Sequence, residues 1–474
     1  MEAQKISRYW LKHFPYDSTD GQKMLIHRIS GFLVNPDKLL LFIIKGYAGT
    51  GKTSIISSLV SILPLFDFKS VLLAPTGKAS KVFSKYSGRK AYTIHKKLYF
   101  LRTSSDGQIK LVLQENLFKN TIFIVDEASM IPDSSRPADG SLFASQRLLD
   151  DLIHHVYQGE NCRLILMGDT AQLPPVGLDI SPALDTMHLE KNYSLSADSF
   201  ELTQVVRQAK HSGILKNATF IRNKVNKKDH SLPLFSSINS SDTFRITGNE
   251  LEEQLNDAYS RFGAENTIVI CRSNKRANIF NQEIRKRILY RENEISTTDL
   301  MMVVRNNYFW LDKDAKAGFI ANGDIIEILR INHIEELYGF HFADVSIRLT
   351  DFPEEPEIDV KVMLDTIMYE TPSLPMKEQR KLAENIMKDY QDIPTRRARM
   401  GKLQQNPYYQ ALQVKFAYAL TCHKAQGGQW DVVFVDQGYL TESMIETEYL
   451  RWLYTAMTRA TRKLFLVNFN DLFY

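Results

Sequence analysis

Residues 46 to 53 read GYAGTGKT, preceded by the apolar run KLLLFII and followed by SIISSLV. An apolar run, a glycine-rich turn and a helix-period run describe a buried strand that enters a helix through a tight loop. The octet fits G-x-x-x-x-G-K-[ST], and each position has a physical purpose. Gly46, Gly49 and Gly51 let backbone N–H groups turn inward, and the helix N-terminus that follows adds positive potential. The loop of Gly46, Ala48, Gly49, Thr50 and Gly51 is therefore a candidate phosphate cradle. Lys52 is placed for the β and γ phosphates, and the hydroxyl of Thr53 for magnesium.

Such a loop confines its surroundings to an α/β architecture, and the rest of the chain repeats the pattern. At 474 residues the chain exceeds one ordinary hydrophobic core, so two large domains with insertions are expected. Short β-rich apolar runs alternate with helical stretches, as in parallel sheets covered by helices. LLLFII (39–44), VLLA (71–74), TIFIVD (121–126) and RLILMGD (163–169) form one series. TIVIC (267–271), VKFAYALT (414–421), DVVFVD (431–436) and KLFLVN (463–468) form a second. The predicted border lies at 195/196, and the polar stretch 226–242 reads as a surface excursion. Residues 302 to 411 differ: alternating strands around ANGDIIEILRI and DVSIRLT precede a charged helical stretch from Met376 to about Met400. They are predicted to form a small β-rich insertion in the second domain.

Composition narrows the partners. Lys and Arg number 59 against 55 Asp and Glu, a net +4, so any nucleic-acid surface must be local. With 44% hydrophobic and 24% charged residues, the chain reads as soluble and globular. The start MEAQKISRYWLKHF lacks the apolar core of a signal peptide, and no run approaches the roughly 20 apolar residues that span a bilayer. A cytoplasmic protein without a membrane partner is expected. Cys162, Cys271 and Cys422 are far apart, which gives no zinc or disulfide pattern.

A triphosphate site also needs carboxylates, and IFIVDEASM supplies them at the end of a β run. Asp126 is the candidate magnesium ligand and Glu127 the general base that polarises the attacking water. In MGDTAQLPPVG a further strand ends at Asp169, with Gln172 as a candidate γ-phosphate sensor. Arg207 in LTQVVRQ and Arg459 in LYTAMTRATRK are candidates for neutralising transition-state charge.

GYAGTGKT, LLAPTGKAS with YTIHK, VDEASM, GDTAQLPPVG, LTQVVRQ, ALTCHKAQGGQWDVVFV and YTAMTRA together resemble the ordered motif set of superfamily 1B helicases, most nearly the RecD-like and phage Dda-like branch, over about residues 22 to 467. The resemblance implies two RecA-like parallel-sheet domains of the P-loop NTPase class, ATP and Mg2+ in the cleft, and single-stranded DNA running across both. It implies 5′-to-3′ translocation and unwinding of duplex or fork DNA, and partners among replication or recombination proteins. Gln22 matches the family's adenine-reading glutamine. The family's strand contacts fall on Pro75, Thr76 and Lys78, on Thr93 and His95, and on Thr421, His423, Lys424 and Gln426; such donors hold phosphates without reading bases. The nucleotide-sugar contact falls on Gln429, where many relatives carry glutamate, so a neutral hydrogen bond is expected there.

The stretch 97–114 alternates around a DG turn and is predicted to be a hairpin insertion, about 97–118. It is either a strand-separating pin that presents Tyr99, Phe100 and Leu101 or an inert edge hairpin. The 302–411 insertion resembles the family's small accessory barrel, in which Phe309 and Trp310 either stack on bases or pack in the core. A strand-stimulated ATPase subunit that translocates without unwinding, beside a nuclease or recombination partner, is the alternative activity.

Overall fold

The apolar runs of both series become strands covered on both faces, which is why they read as continuous rather than alternating. The computed structural model describes residues 2–103, 109–133, 147–206, 212–235, 241–312, 315, 317–352 and 354–474, with backbone alone at 101–103 and 109–111. β1 (Leu40–Gly46), β2 (Lys69–Ala74) and β3 (Ala91–Thr93) lead into a hairpin of β4 (Tyr99–Thr103) and β5 (Ile109–Leu113). β6 (Thr121–Val125), β7 (Arg163–Gly168) and β8 (Ser196–Leu202) follow. Apart from the hairpin they form a six-stranded sheet in the order β3-β2-β6-β7-β1-β8, parallel throughout.

β8 corrects the predicted border at 195/196. It pairs with β1 along its whole length, so the first lobe extends to Leu202. Its sequence SADSFEL escaped the strand pattern because this edge strand is largely solvated, with only Leu202 buried.

The second lobe opens with β9 (Thr243–Ile246) and β10 (Thr267–Cys271). Next come β11 (Leu300–Val303), β12 (Ile325–Leu337), β13 (Phe340–Leu349), β14 (Ile358–Met363) and β15 (Leu412–Phe416), which close into a barrel. β16 (Ala419–Thr421), β17 (Trp430–Asp436) and β18 (Ala460–Val467) complete a five-stranded parallel sheet, β16-β10-β17-β18-β9. The predicted single strand 414–421 is therefore two strands, one in the barrel and one in the sheet. Buried Asn281 causes the split: its amide donates to Phe416 O and Ala419 O, and its oxygen accepts from Tyr418 and Ala419 N–H. The helices Met376–Met387 and Arg396–Gln404 pack Leu382, Ile386 and Leu403 against Phe340 and Phe342 of the barrel. Trp310 belongs to the packing as well, donating its indole N–H to Gln410 O at 2.8 Å.

The hairpin β4–β5 forms in antiparallel register from Tyr99 opposite Leu113 to Thr103 opposite Ile109. Tyr99 is buried and donates to Asp151 at 2.6 Å, whereas Phe100 is 43% exposed. The DG turn and the Leu101 side chain lie outside the described residues. No helix among the described residues is long and apolar enough to cross a membrane.

Candidate functional site

Parallel sheets present their loops at the carboxyl ends of the strands, and three such ends build the first wall of the site. β1 runs into the phosphate loop, β6 into Asp126 and Glu127, and β7 into Asp169 and the turn that carries Gln172. Gly49 and Gly51 adopt φ of +76° and +81°, the left-handed region where glycine alone is unstrained. A Cβ on Gly51 would also lie 2.5 Å from the Gln22 amide nitrogen. The opposite wall comes from the second lobe, where Gln429 precedes β17 and Arg459 joins the helix Thr447–Met457 to β18.

These walls enclose a cavity of about 620 Å3 lined by Lys52, Thr53, Asp126, Glu127, Gln172, Gln429 and Arg459. Lys52 Nζ donates to the carbonyls of Gly46 and, at 3.1 Å, Tyr47, so the ammonium is held within the loop. Arg459 is 4% exposed; it donates to Thr455 O at 3.1 Å and Gly428 O at 3.2 Å, with a guanidinium nitrogen 3.8 Å from Glu127. Burial beside Glu127 pushes the Asp126 carboxyl up to about 7, against the lowering pull of the Glu127 N–H, Lys52 and Arg459. Gln172 Oε1 is buried without a protein partner, which suits an amide meant for a ligand. Arg207 lies outside the described residues.

Two expected contacts are placed differently. Gln22 sits behind the phosphate loop rather than against the cavity: it forms a capping box with Thr19 and donates to Thr50 O at 3.2 Å. Buried Gln426 donates to Leu173 O at 2.7 Å, so its amide joins the lobes instead of facing a strand. Gln429 does line the cavity, where its oxygen accepts from Tyr86 OH at 3.0 Å across the cleft.

The remaining strand-contact candidates cluster at the ends of β2, β3 and β16. Thr76 caps the helix Gly77–Ser87 and Thr93 caps Ile94–Leu98, each accepting a backbone N–H through its hydroxyl. Lys78 Nζ stands 3.5 Å from the ring centre of Trp430, and burial pushes its ammonium down to about 8. His95 is pushed down to about 4 by burial and is therefore neutral; burial lowers His423 too. Thr421 ends β16, His423 and Lys424 follow it on the short helix Cys422–Ala425, and Pro75 precedes Thr76.

The barrel closes over this surface with acidic groups. Lys81 donates to Thr350 O at 2.8 Å and lies 3.5 Å from Asp351. Asp324, pushed up to about 7 by burial, approaches the position of a Cβ on Gly77 to 2.6 Å. Lys96 Nζ is buried without a hydrogen-bond partner, over the Phe352 ring at 5.1 Å.

Sequence reasoning passed over the tyrosines of the cleft. Tyr47 of the phosphate loop donates to Glu201 of β8, accepts from Asn226 at 2.9 Å and lies under Arg222, 4.2 Å from the ring centre. Tyr454 OH accepts from Ala48 N at 3.0 Å and donates to Asp169 at 2.6 Å. The motif YTAMTRA contained Tyr454, but nothing local marked its partner 285 residues away.

Residues 20–230 match the family model of an AAA domain, and residues 416–467 that of the UvrD-like helicase C-terminal domain. The chain is similar to the uncharacterized protein R530 of Acanthamoeba polyphaga mimivirus, 23% identical over 512 aligned residues that cover 94% of this chain and 98% of that one. It is also similar to the ATP-dependent DNA helicase dda of Enterobacteria phage T4, 24% identical over 330 residues, covering 67% and 68%. Among solved structures, one of two coordinating Pif1 helicases at forked duplex DNA aligns at 15% identity and a TM-score of 0.49, covering 96% of this chain and 92% of that one.

Proposed function

Because the chain belongs to the superfamily 1B helicases and is an ATP-dependent DNA helicase, we propose that it translocates 5′ to 3′ along single-stranded DNA and separates duplex ahead of it. The observation that carries this reading is the convergence of Lys52, Asp126, Glu127 and Arg459, from two lobes, on one cavity. The chemistry of the donors fits a magnesium nucleotide: Thr53 and Asp126, both in the lining of that cavity, offer hard oxygen ligands. Held there by Thr53 and Asp126, magnesium would neutralise phosphate charge.

The chain's own groups then divide the work. Lys52 exchanges its loop carbonyls for β and γ phosphate oxygens. Glu127 accepts the proton of the attacking water, and Gln172 orients the γ-phosphate end. Arg459 stabilises charge that builds up in the transition state, and because it comes from the opposite lobe, hydrolysis is tied to closure. The strand is gripped through Pro75, Thr76, Lys78, Thr93 and His95 in one lobe and through Thr421, His423 and Lys424 in the other. Alternating grip turns each closure into a step.

ATP turnover with and without single strands, followed by unwinding of forks with a 5′ or a 3′ loading tail, tests the reading. Strand-stimulated turnover and unwinding of the 5′-tailed fork are expected. Unwinding confined to the 3′-tailed fork would reverse the polarity, and turnover without unwinding of either would leave a translocase.

A further inference from the structure

We propose that Tyr454 is a positioning residue for hydrolysis, a hydroxyl from the second lobe that holds the phosphate loop and the Gln172 turn of the first lobe in working register. The inference rests on the ATPase reading above and adds to it a residue that touches neither nucleotide nor strand.

Tyr454 is 1% exposed, on the helix Thr447–Met457. Its oxygen accepts from the N–H of Ala48, an amide of the phosphate cradle, and its proton goes to Asp169 Oδ2. The other Asp169 oxygen accepts from Ala171 N–H at 2.9 Å, and Asp169 O from Gln172 N–H at 3.3 Å. One hydroxyl thus spans the loop that receives the phosphates and the turn that carries the candidate sensor. Burial and the adjacent carboxylate push the phenol well above 10, so it remains a donor at any working pH. The same helix holds the far end of the turn: Leu173 N–H donates to Thr455 Oγ1 at 3.0 Å, while Gln426 donates to Leu173 O.

Arg459 leaves the end of this helix for the cavity. Its reach toward Glu127 depends on where the helix sits, and Tyr454 fixes that position against two elements of the first lobe. Replacing the hydroxyl by hydrogen leaves the ring in place and removes both bonds. The Ala48 amide is then free for a phosphate oxygen, so nucleotide binding is spared. The register between lobes loosens, so the chemical step slows.

Tyr454→Phe in the full chain, assayed with saturating oligo-dT, is expected to lower kcat about tenfold, the size of one hydrogen bond to a buried carboxylate. KM for ATP should stay within about twofold, because uniform binding is untouched. A second variant, Tyr454→Phe with Asp169→Asn, removes the carboxylate left without its donor. It should regain thermal stability while kcat stays low. An unchanged kcat in Tyr454→Phe, a loss carried wholly by KM, or recovery of kcat in the double variant would each overturn the proposal. Absence of ATP turnover in the unmutated chain would instead strike the reading on which it rests.

Discussion

The proposed triphosphate cleft and the proposed strand-facing surface are both built from strand ends and short helices, yet they stand in different states. In the cleft, Lys52, Arg459 and Gln172 face a hollow of about 620 Å3, and Gln172 Oε1 has no protein partner. On the strand side the candidate groups are engaged: Thr76 and Thr93 as caps, Lys78 on Trp430, and the neighbouring Lys81 on Asp351. The difference teaches that the cleft is only partly preorganised, with Lys52 and Arg459 held on backbone carbonyls around an open hollow, whereas the proposed strand side ties its candidate groups to helix caps, to a ring and to a barrel carboxylate. Preorganisation lowers the cost of binding and catalysis, and exchange of partners makes binding conditional.

The comparison breaks most plainly at Lys52. Lys52→Ala should lower ATP turnover on the order of a thousandfold, the scale for removing a preorganised charge donor from a transition state. Single-strand binding, measured by anisotropy of a labelled oligonucleotide, should persist because the strand side is a separate surface. Turnover near normal would mean that the cleft does not do the chemistry.

Asp351→Asn probes the engaged side with a smaller effect. Asp351 stands 3.5 Å from Lys81 and also acts on the charge of Lys78. Without that carboxylate the Lys81 ammonium is freer for phosphates and a negative charge is gone from the surface, an effect larger than the support Asp351 lends to the charge on Lys78. Strand affinity at low salt should rise about threefold, and the slope of log K against log salt should steepen by up to about one counterion. An unchanged salt slope would show that the barrel carboxylate does not compete with the strand.

The same contrast explains what the sequence revealed. Contiguous motifs on buried strands were legible, because a parallel strand covered on both faces is a plain apolar run and its end is fixed in sequence. Lys52, Asp126 and Glu127 were found that way and Arg459 through the contiguous motif YTAMTRA at the end of a helix, and the structure brings the four to one cavity. What escaped depends on long-range pairing or partial solvation. β8 is a polar edge strand, Gln22 is drawn behind the loop by its capping box, and Gln426 is claimed by Leu173. Tyr454 had no local cue, since Ala48 and Asp169 meet it only after the lobes assemble. The barrel's carboxylates were equally hidden, because Asp324 and Asp351 read as ordinary turn residues until the barrel is set against Gly77 and Lys81.

Lys78 gives the finest test of the engaged side. Burial lowers its ammonium to about 8, a shift that Asp351 partly offsets. Charge on Lys78 therefore fades as pH rises from 7 to 9, and single-strand affinity should fall over that window by about two- to threefold as one phosphate contact weakens. His95, held near 4, is neutral throughout and adds no slope. Folding responds with the opposite sign. Because the folded-state value lies below the ordinary 10.5, burying the charge opposes folding below about 8, and that opposition fades as pH rises. Weaker binding at pH 9 thus does not reflect loss of folded protein through this group. Lys78→Arg keeps its charge across the window, so its binding curve should be flatter than that of the unmutated chain. Equal slopes in the two proteins would place Lys78 away from the strand and leave its contact with Trp430 as its whole role.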